Sequence, residues 1–260
     1  MVPGPPAWQS AAHGLGLALG LAGVVACLGA GCGGKDGEAA EDGRSDGAIP
    51  ATLGAHALVF QRIDGGKAVL ATPPLATRST GSTILVSVGR GDASAFRLPT
   101  DNKGNAPYVQ LGTQHPYTRW PSSGTALYAF AGAAGGPGHV VSVSTPPADE
   151  VTVSVVEVQG TQVVDFDWAE VQAGDPLTSP KVTTTGPATL VAFWWGDAGV
   201  QGDKTAVPGG GFVVIDAVLL SGALVQSAVA VKQVDAAGSY DVTWASTPTQ
   251  GAQLWIAAVQ

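Results

Sequence analysis

The chain has 260 residues, of which 45% are hydrophobic and 12% are charged, and its formal net charge is −8. A sequence this apolar can fill a core, which excludes a wholly disordered chain. The acidic balance and the lack of any Lys/Arg cluster argue against nucleic-acid binding. Both cysteines, Cys27 and Cys32, lie near the N-terminus, so the rest of the chain has neither a disulfide scaffold nor a thiolate zinc site.

The first 34 residues have the pattern of an export signal. No charged side chain precedes Lys35, and the apolar stretch from Leu15 to Gly31 is slightly short for a membrane span but suits the core of a signal peptide. Small residues then lead directly into a cysteine, which resembles a bacterial lipoprotein signal. We expect Cys32 to be lipidated, with Cys27 as the alternative, because Cys32 leaves a fuller apolar core.

The resemblance to lipoprotein signals implies a location in the cell envelope. The usual basic start is missing, since only His13 could carry charge there, and a plain transmembrane anchor is the alternative. Gly33 rather than Asp follows Cys32, which in Gram-negative lipoproteins favours the outer membrane. We therefore expect residues 1–31 to be a signal segment, residues 32–54 to be a flexible acidic tether, and the protein to attach to the membrane by its lipid.

Beyond the tether the chain predicts short strands joined by turns. Apolar or alternating runs are separated by Gly, Pro, Asn and Asp, and no long stretch shows a helical period with caps. We predict an all-β domain over residues 55–260. The clearest strands are predicted at 56–62, 82–88, 125–131, 139–144, 151–158, 188–195, 211–220, 239–245 and 253–259.

Two parts of this domain share a sequence pattern. The segment "TGSTILVSVGRGDA" (80–93) shares half of its residues with "TGPATLVAFWWGDA" (185–198). Further on, 126–146 matches 228–248, and both segments end in Ser-Thr-Pro. Because the order of the matches is kept, they predict an internal duplication.

The duplication leads to two local expectations. The alternation of valines in 151–158 restarts at Val156, which predicts a β-bulge at Val155–Val156. The "RGD" tripeptide at 90–92, which adhesion receptors recognise on loops, aligns with "WGD" at 195–197. We interpret it as a structural turn and not as an adhesion signal.

These segments resemble a widespread group of exported bacterial proteins. The resemblance rests on the strand segments above, on "DNKGNAPYVQLG" (101–112), "VTVSVVEVQG" (151–160) and the last strand of the second half. It implies a single jelly-roll-like antiparallel β-sandwich of two pseudo-repeated halves, at about 76–160 and 181–260. The group has no settled activity, so the resemblance supplies no catalytic residues.

The sequence contains little catalytic chemistry. No Gly-x-Ser-x-Gly elbow occurs, and His56, His115 and His139 lie far apart without the spacing of zinc ligands. Asp165 and Asp167 share one face of a predicted strand, but two carboxylates are too few for calcium. We expect no enzymatic activity, no cofactor and no metal.

Aromatic side chains provide the one binding chemistry that the sequence indicates, because sugar rings stack on exposed Trp and Tyr faces. Tyr117, Arg119 and Trp120 stand in a Pro-bounded loop and Trp195 ends a strand; these are the candidate ligand-binding residues, whereas Trp168 is assigned to the core. The expected function is a non-catalytic binding module for carbohydrate or another cell-surface polymer. The alternative is a structural or protein-interaction domain without a small ligand.

Overall fold

The computed structural model describes residues 51–62, 68–92, 96–146, 149–173, 175–197, 205–220, 223, 225–247 and 250–260. The predicted signal segment, most of the tether and both cysteines lie outside these residues. The described residues belong to one compact unit, Asp46–Gln260. Among them no helix is long and apolar enough to cross a membrane.

The described residues form two consecutive sets of ten strands. The first set is β1 (Leu53–Gln61), β2 (Val69–Ala71), β3 (Leu75–Ala76), β4 (Thr80–Arg90), β5 (Thr100–Asp101), β6 (Val109–Pro116), β7 (Gly124–Ala134), β8 (Pro137–His139), β9 (Val141–Ser144) and β10 (Val151–Val158). The second set is β11 (Val163–Val171), β12 (Leu177–Thr178), β13 (Val182–Thr184), β14 (Ala188–Asp197), β15 (Thr205–Pro208), β16 (Val213–Val218), β17 (Val225–Val234), β18 (Gly238–Tyr240), β19 (Thr243–Thr247) and β20 (Ala252–Val259).

Each set builds the same three sheets. The large sheet has the order β1-β10-β4-β7-β6 in the first half and β11-β20-β14-β17-β16 in the second. The small sheets β2-β9-β5 and β3-β8 correspond to β12-β19-β15 and β13-β18, and all of these pairings are antiparallel. The predicted all-β fold of two pseudo-repeated halves is therefore confirmed, and the structural repeat includes β1 and β11.

The two large sheets pack face to face. Their shared core includes Leu85, Leu127 and Val156 from the first half and Phe193, Val229 and Trp255 from the second. The outer face of each large sheet is covered by the small sheets and loops of its own half, through separate apolar clusters. Central strands such as β10 and β20 are thus buried along their whole length, which explains their nearly continuous apolar sequences.

The bulge predicted at Val155–Val156 is wrong. β10 pairs with β4 in unbroken register along its length. Val155 belongs to the outer cluster of the first half and Val156 to the shared core, so consecutive valines reflect burial on both faces of one regular strand. The irregularity lies on the partner strand β1, between Leu53 and His56.

The sequence alignment of β4 with β14 is one residue away from the structural equivalence. Leu85 and Val191 occupy the same place in the two sheets: they have equivalent neighbours on the flanking strands, and both face the shared core. The sequence alignment instead matched Leu85 with a residue of β14 whose side chain faces outward. This follows because an offset of one residue moves every matched side chain to the opposite face of the strand. The equivalent of Trp195 is therefore Gly89 and not Arg90.

The RGD tripeptide is part of a buried ion pair. Arg90 is fully buried, and its Nε lies 2.6 Å from Oδ2 of Asp149, while its guanidinium lies 5.3 Å from the ring centroid of Phe96. The other oxygen of Asp149 accepts a hydrogen bond of 2.9 Å from the backbone N–H of Asp92. An adhesion receptor cannot bind an arginine side chain that is buried in the fold.

Candidate ligand-binding site

A pocket of about 300 Å³ opens where the edge strand β6 of the first half lies beside the edge strand β11 of the second. Its walls are Gly112, Thr113 and His115 from β6 and Phe166, Asp167 and Trp168 from β11, and Trp255 of β20 forms the floor. The pocket therefore needs both halves of the molecule.

An irregular segment of β6 forms one wall of this pocket. Between Leu111 and His115 the regular pairing with β7 is interrupted, and Gly112 adopts a φ of 67°. A Cβ at Gly112 would stand 3.5 Å from the ring of Phe166. Such interruptions change the direction of the side chains that follow them, and here His115 meets β11.

His115 and Trp168 form a stacked pair across the junction. Their ring centroids are 3.7 Å apart and their planes differ by 6°. The ring of Trp255 is tilted beneath them, 5.1 Å from His115 and 6.4 Å from Trp168. Burial lowers the pKa of His115, so the imidazole is neutral at pH 7 and the pair presents an apolar aromatic surface.

Buried hydrogen bonds hold the floor of the pocket in place. Trp255 Nε1 donates to Thr125 Oγ1 at 2.9 Å, and that hydroxyl donates to Gln253 Oε1 at 2.7 Å. The amide nitrogen of Gln253 then donates to the backbone carbonyl of His115 at 3.0 Å. Because these bonds join the two halves, they fix the geometry of the junction.

The loop after β6 is hydrogen-bonded to β11 beside the same pocket. The backbone N–H of Thr118 lies 3.1 and 2.9 Å from the two carboxylate oxygens of Glu170, which is two residues beyond Trp168 on β11. In this loop Trp120 is 47% exposed, and the guanidinium of Arg119 lies 5.5 Å from the centroid of its ring. Arg119 and Trp120 are therefore available to a ligand.

The other two candidate residues, Tyr117 and Trp195, are buried, so the prediction that they contact a ligand is wrong. Tyr117 is 1% exposed and Trp195 is 2% exposed, and their rings form a perpendicular contact with centroids 6.1 Å apart. Trp195 fills the space above Gly89, its structural equivalent in the first half. A large residue thus packs on a small one, in a buried cluster separate from the shared core, where no ligand ring can reach.

Trp168 is the residue whose role the sequence analysis missed. Its alternation with Phe166 indicated a core residue, and both rings do pack against the shared core. However, β11 is an edge strand, so Trp168 is only half-buried and also lines the pocket. The sequence signal for this position was a pair of aromatic residues on a strand that also contains aspartates. The strand order that leaves Trp168 partly exposed at an edge depends on the tertiary structure.

A Thr-His-Asp arrangement in the first half is enclosed by the fold. Thr77 Oγ1 lies 3.1 Å from His139 Nδ1, and His139 Nε2 lies 3.2 Å from Asp101 Oδ2. The side chains of His139 and Asp101 are fully buried, and Thr77 is 8% exposed. Asp101 also accepts hydrogen bonds from Tyr108 and Asn105, both 2.8 Å long. Nucleophilic catalysis requires an accessible hydroxyl, whereas this arrangement holds the "DNKGN" turn.

The two aspartates of β11 are bound to backbone groups. Asp165 accepts hydrogen bonds from the N–H groups of Phe166 and Thr183 at 2.9 and 2.7 Å, and Asp167 accepts one from Trp168 at 2.7 Å. Within the part of the chain that the structure describes, no three His, Cys, Asp or Glu side chains are grouped as a metal site would require.

Comparison with known proteins assigns no function to the pocket. No family model matches the sequence, and neither a curated protein nor a solved structure matches it significantly. The function of the pocket is therefore inferred from its own chemistry.

Proposed function

We propose that this protein is a lipid-anchored component of the bacterial cell envelope that binds carbohydrate, or another cell-surface polymer, without catalysing a reaction. Cys32, or alternatively Cys27, carries the lipid, and the acidic tether separates the folded part from the outer membrane. The N-terminal sequence pattern supports the anchor, and the junction pocket supports the binding.

The stacked pair of His115 and Trp168 is the observation that carries the binding proposal. The two rings lie parallel and face to face, so each covers one face of the other. The ring surface that they leave uncovered beside the partly open pocket is apolar and can contact the apolar face of a sugar ring. Thr113 and Asp167 are exposed at the rim, where they can form hydrogen bonds with sugar hydroxyls. A small number of polar groups around an aromatic floor is the usual composition of a small-molecule site.

The loop of Trp120 extends this surface. Because Thr118 is bound to Glu170, the exposed aromatic ring of Trp120 follows the pocket along the same edge of the molecule. Two separate aromatic platforms suit an oligosaccharide better than a single sugar.

The binding proposal is tested with the full chain, purified in detergent, on a glycan array. We expect at least one class of glycan to bind, and Trp168→Ala to weaken binding about tenfold or more, since it removes a stacking surface worth at least 1.4 kcal/mol. Trp168→Phe should retain part of the affinity. Tyr240→Ala, which removes an aromatic ring from the outer small sheet, is the control. Equal losses in Trp168→Ala and Tyr240→Ala, or no glycan bound at all, contradict the proposal.

The lipid anchor is tested by mass spectrometry of the mature protein from membranes. We expect an N-terminal peptide that starts at Cys32 and carries a diacylglyceryl group, and loss of membrane attachment in Cys32→Ala. A mature peptide that starts at Cys27 supports the alternative site. An unmodified N-terminus upstream of Cys27 excludes the anchor.

A structural or protein-interaction role is the second candidate, and one observation favours it. Val207, Val213 and Val214 are 57%, 65% and 38% exposed on β15 and the edge strand β16. Exposed apolar side chains on a sheet edge can mark a protein contact. Three results together would favour this role. A cross-linker at position 213 captures a single protein in cells, Val214→Lys abolishes that cross-link, and no glycan binds on the array.

A further inference from the structure

A second groove lies on the outer face of the small sheet β2-β9-β5, apart from the junction pocket. It consists of two adjoining depressions of about 390 Å³ and about 200 Å³. Arg97 and Ser144 line both depressions, so they form one continuous surface. None of the residues that line the junction pocket contributes to it.

Hydroxyl groups line the floor of this groove. Along β9, Val141 and Val143 are buried in the outer cluster of the first half, while Ser142 is half-buried and Ser144 is exposed. Thr100 of β5 pairs with Ser142, so the hydroxyls continue across the sheet. Since side chains two apart on a strand are about 7 Å from each other, Ser142 and Ser144 offer repeated hydrogen-bonding groups along one line.

Apolar and cationic side chains border the row of hydroxyls. Val69 and Leu98 are each 49% exposed, and Arg97 is exposed beside Leu98. No described carboxylate forms an ion pair with Arg97. In a chain with a net charge of −8, an exposed guanidinium that forms no ion pair with a described carboxylate can bind an anionic group of a ligand.

We propose that this groove binds an acidic saccharide, with the carboxylate of a uronic acid on Arg97 and the sugar hydroxyls on Ser142, Ser144 and Thr100. An arginine fork matches the geometry of a carboxylate, the serine row matches the regular hydroxyls of a sugar chain, and Leu98 and Val69 cover its apolar face. The proposal does not depend on the junction pocket.

The composition of the groove favours a uronate over a phosphate-rich ligand. Polyphosphates and nucleic acids are held by several cations or by clustered backbone N–H groups. Here the described residues that line the groove include one arginine beside neutral hydroxyls, which suits a sugar that places a single carboxylate in the groove. The acidic net charge also opposes non-specific attraction of polyanions, so binding requires the local contact with Arg97.

The second half provides a matched control position. Leu70 pairs with Val143 in the first half, and Leu177 pairs with Trp244 in the second, so Thr243 is the equivalent of Ser142. Thr243 is exposed, and its hydroxyl is 2.8 Å from that of Thr178. Ser142→Val and Thr243→Val therefore remove the same group from equivalent faces.

The test measures binding of the full chain in detergent to oligogalacturonate, oligomannuronate and hyaluronan fragments, and to their methyl esters. We expect at least one acidic oligosaccharide to bind, its ester to bind about tenfold more weakly, and Arg97→Gln to weaken binding by about tenfold or more, as for loss of a hydrogen bond to a charged group. Ser142→Val should weaken binding, and Thr243→Val should not.

Lys181→Gln is the charge control, because it removes one exposed positive charge in the second half. No binding to any of the acidic probes overturns the proposal, and so do equal losses in Arg97→Gln and Lys181→Gln. Trp168→Ala should leave this binding unchanged. Loss of uronate binding in Trp168→Ala, with Arg97→Gln unaffected, assigns the ligand to the junction pocket instead.

Discussion

Asp101 shows how one side chain organises a turn. Burial disfavours its charge, but hydrogen bonds from Tyr108, from Asn105 and from the backbone of Lys103 outweigh burial and hold the pKa of Asp101 below its usual value. A carboxyl with a lowered folded-state pKa stabilises the fold above the pKa of the unfolded chain, and this stabilisation is lost as pH falls through the folded value.

We therefore expect Asp101→Asn to lower the free energy of unfolding at pH 7 by about 1–3 kcal/mol, since buried donors lose their acceptor. The variant should also lose less stability than the parent as the pH falls below the ordinary carboxyl pKa of about 4. Urea unfolding at several pH values measures both effects, with the exposed Asp175→Asn as control. Parallel stability curves for Asp101→Asn and the parent would contradict this role.

His115 gives the junction pocket a pH response. Burial lowers its pKa, so protonation below the ordinary value of about 6.5 places a cation on the face of Trp168. The unfolded chain binds this proton more readily, and the associated stability is present at high pH and lost as pH falls.

We expect tryptophan fluorescence to decrease on acidification with a midpoint below pH 6.5, and His115→Gln to abolish that transition. A titration from pH 8 to pH 4 measures the transition. Asp101→Asn, in the small sheet β2-β9-β5 of the first half, should keep it. A midpoint above 6.5 would contradict a neutral, buried imidazole.

Strands β4 and β14 meet across the shared core in an asymmetric way. Their equivalent residues Gly89 and Trp195 lie against each other, and a Cβ at Gly89 would overlap the Trp195 ring. Sequence similarity could not reveal this contact, because the best alignment is one residue away from the structural equivalence and matches opposite faces of the strands.

Gly89→Ala should therefore destabilise the protein by about 1–3 kcal/mol through overpacking. Gly186→Ala is the control, because a Cβ there would be 3.5 Å from Gln260 Nε2, which is an ordinary contact. Combining Gly89→Ala with Trp195→Phe should cost less than the sum of the two changes. Chemical denaturation measures these differences, and an unaffected Gly89→Ala variant would refute the packing.

The fold places the start of β1 and the Trp120 loop at opposite ends of the first large sheet. β1 begins beside the end of β10, where Gln159 N–H donates to the carbonyl of Thr52. The Trp120 loop joins β6 to β7 at the level of Arg90, at the other end of β4. Strands of this length span about 25 Å, so the Trp120 loop lies far from the start of β1.

If the protein is lipid-anchored as proposed, we expect deletion of residues 36–46 to leave its glycan binding within about twofold of the parent, because β1 still begins far from the Trp120 loop. Binding of a glycan identified on the array to proteoliposomes measures this, with the detergent-solubilised deletion variant as control. A large loss that occurs only in proteoliposomes would contradict the arrangement.

Local patterns in the sequence sufficed for the all-β class and the duplication, and composition alone gives the acidic net charge. Turn residues and apolar runs act over a few neighbours, so these features can be read without knowledge of the fold. Strand order and the burial of both faces of the large sheets cannot be predicted from local sequence patterns, since they depend on contacts between residues far apart in the chain. Those contacts buried Arg90, Tyr117 and Trp195, and they brought His115 and Trp168 together at an edge where each half supplies one ring.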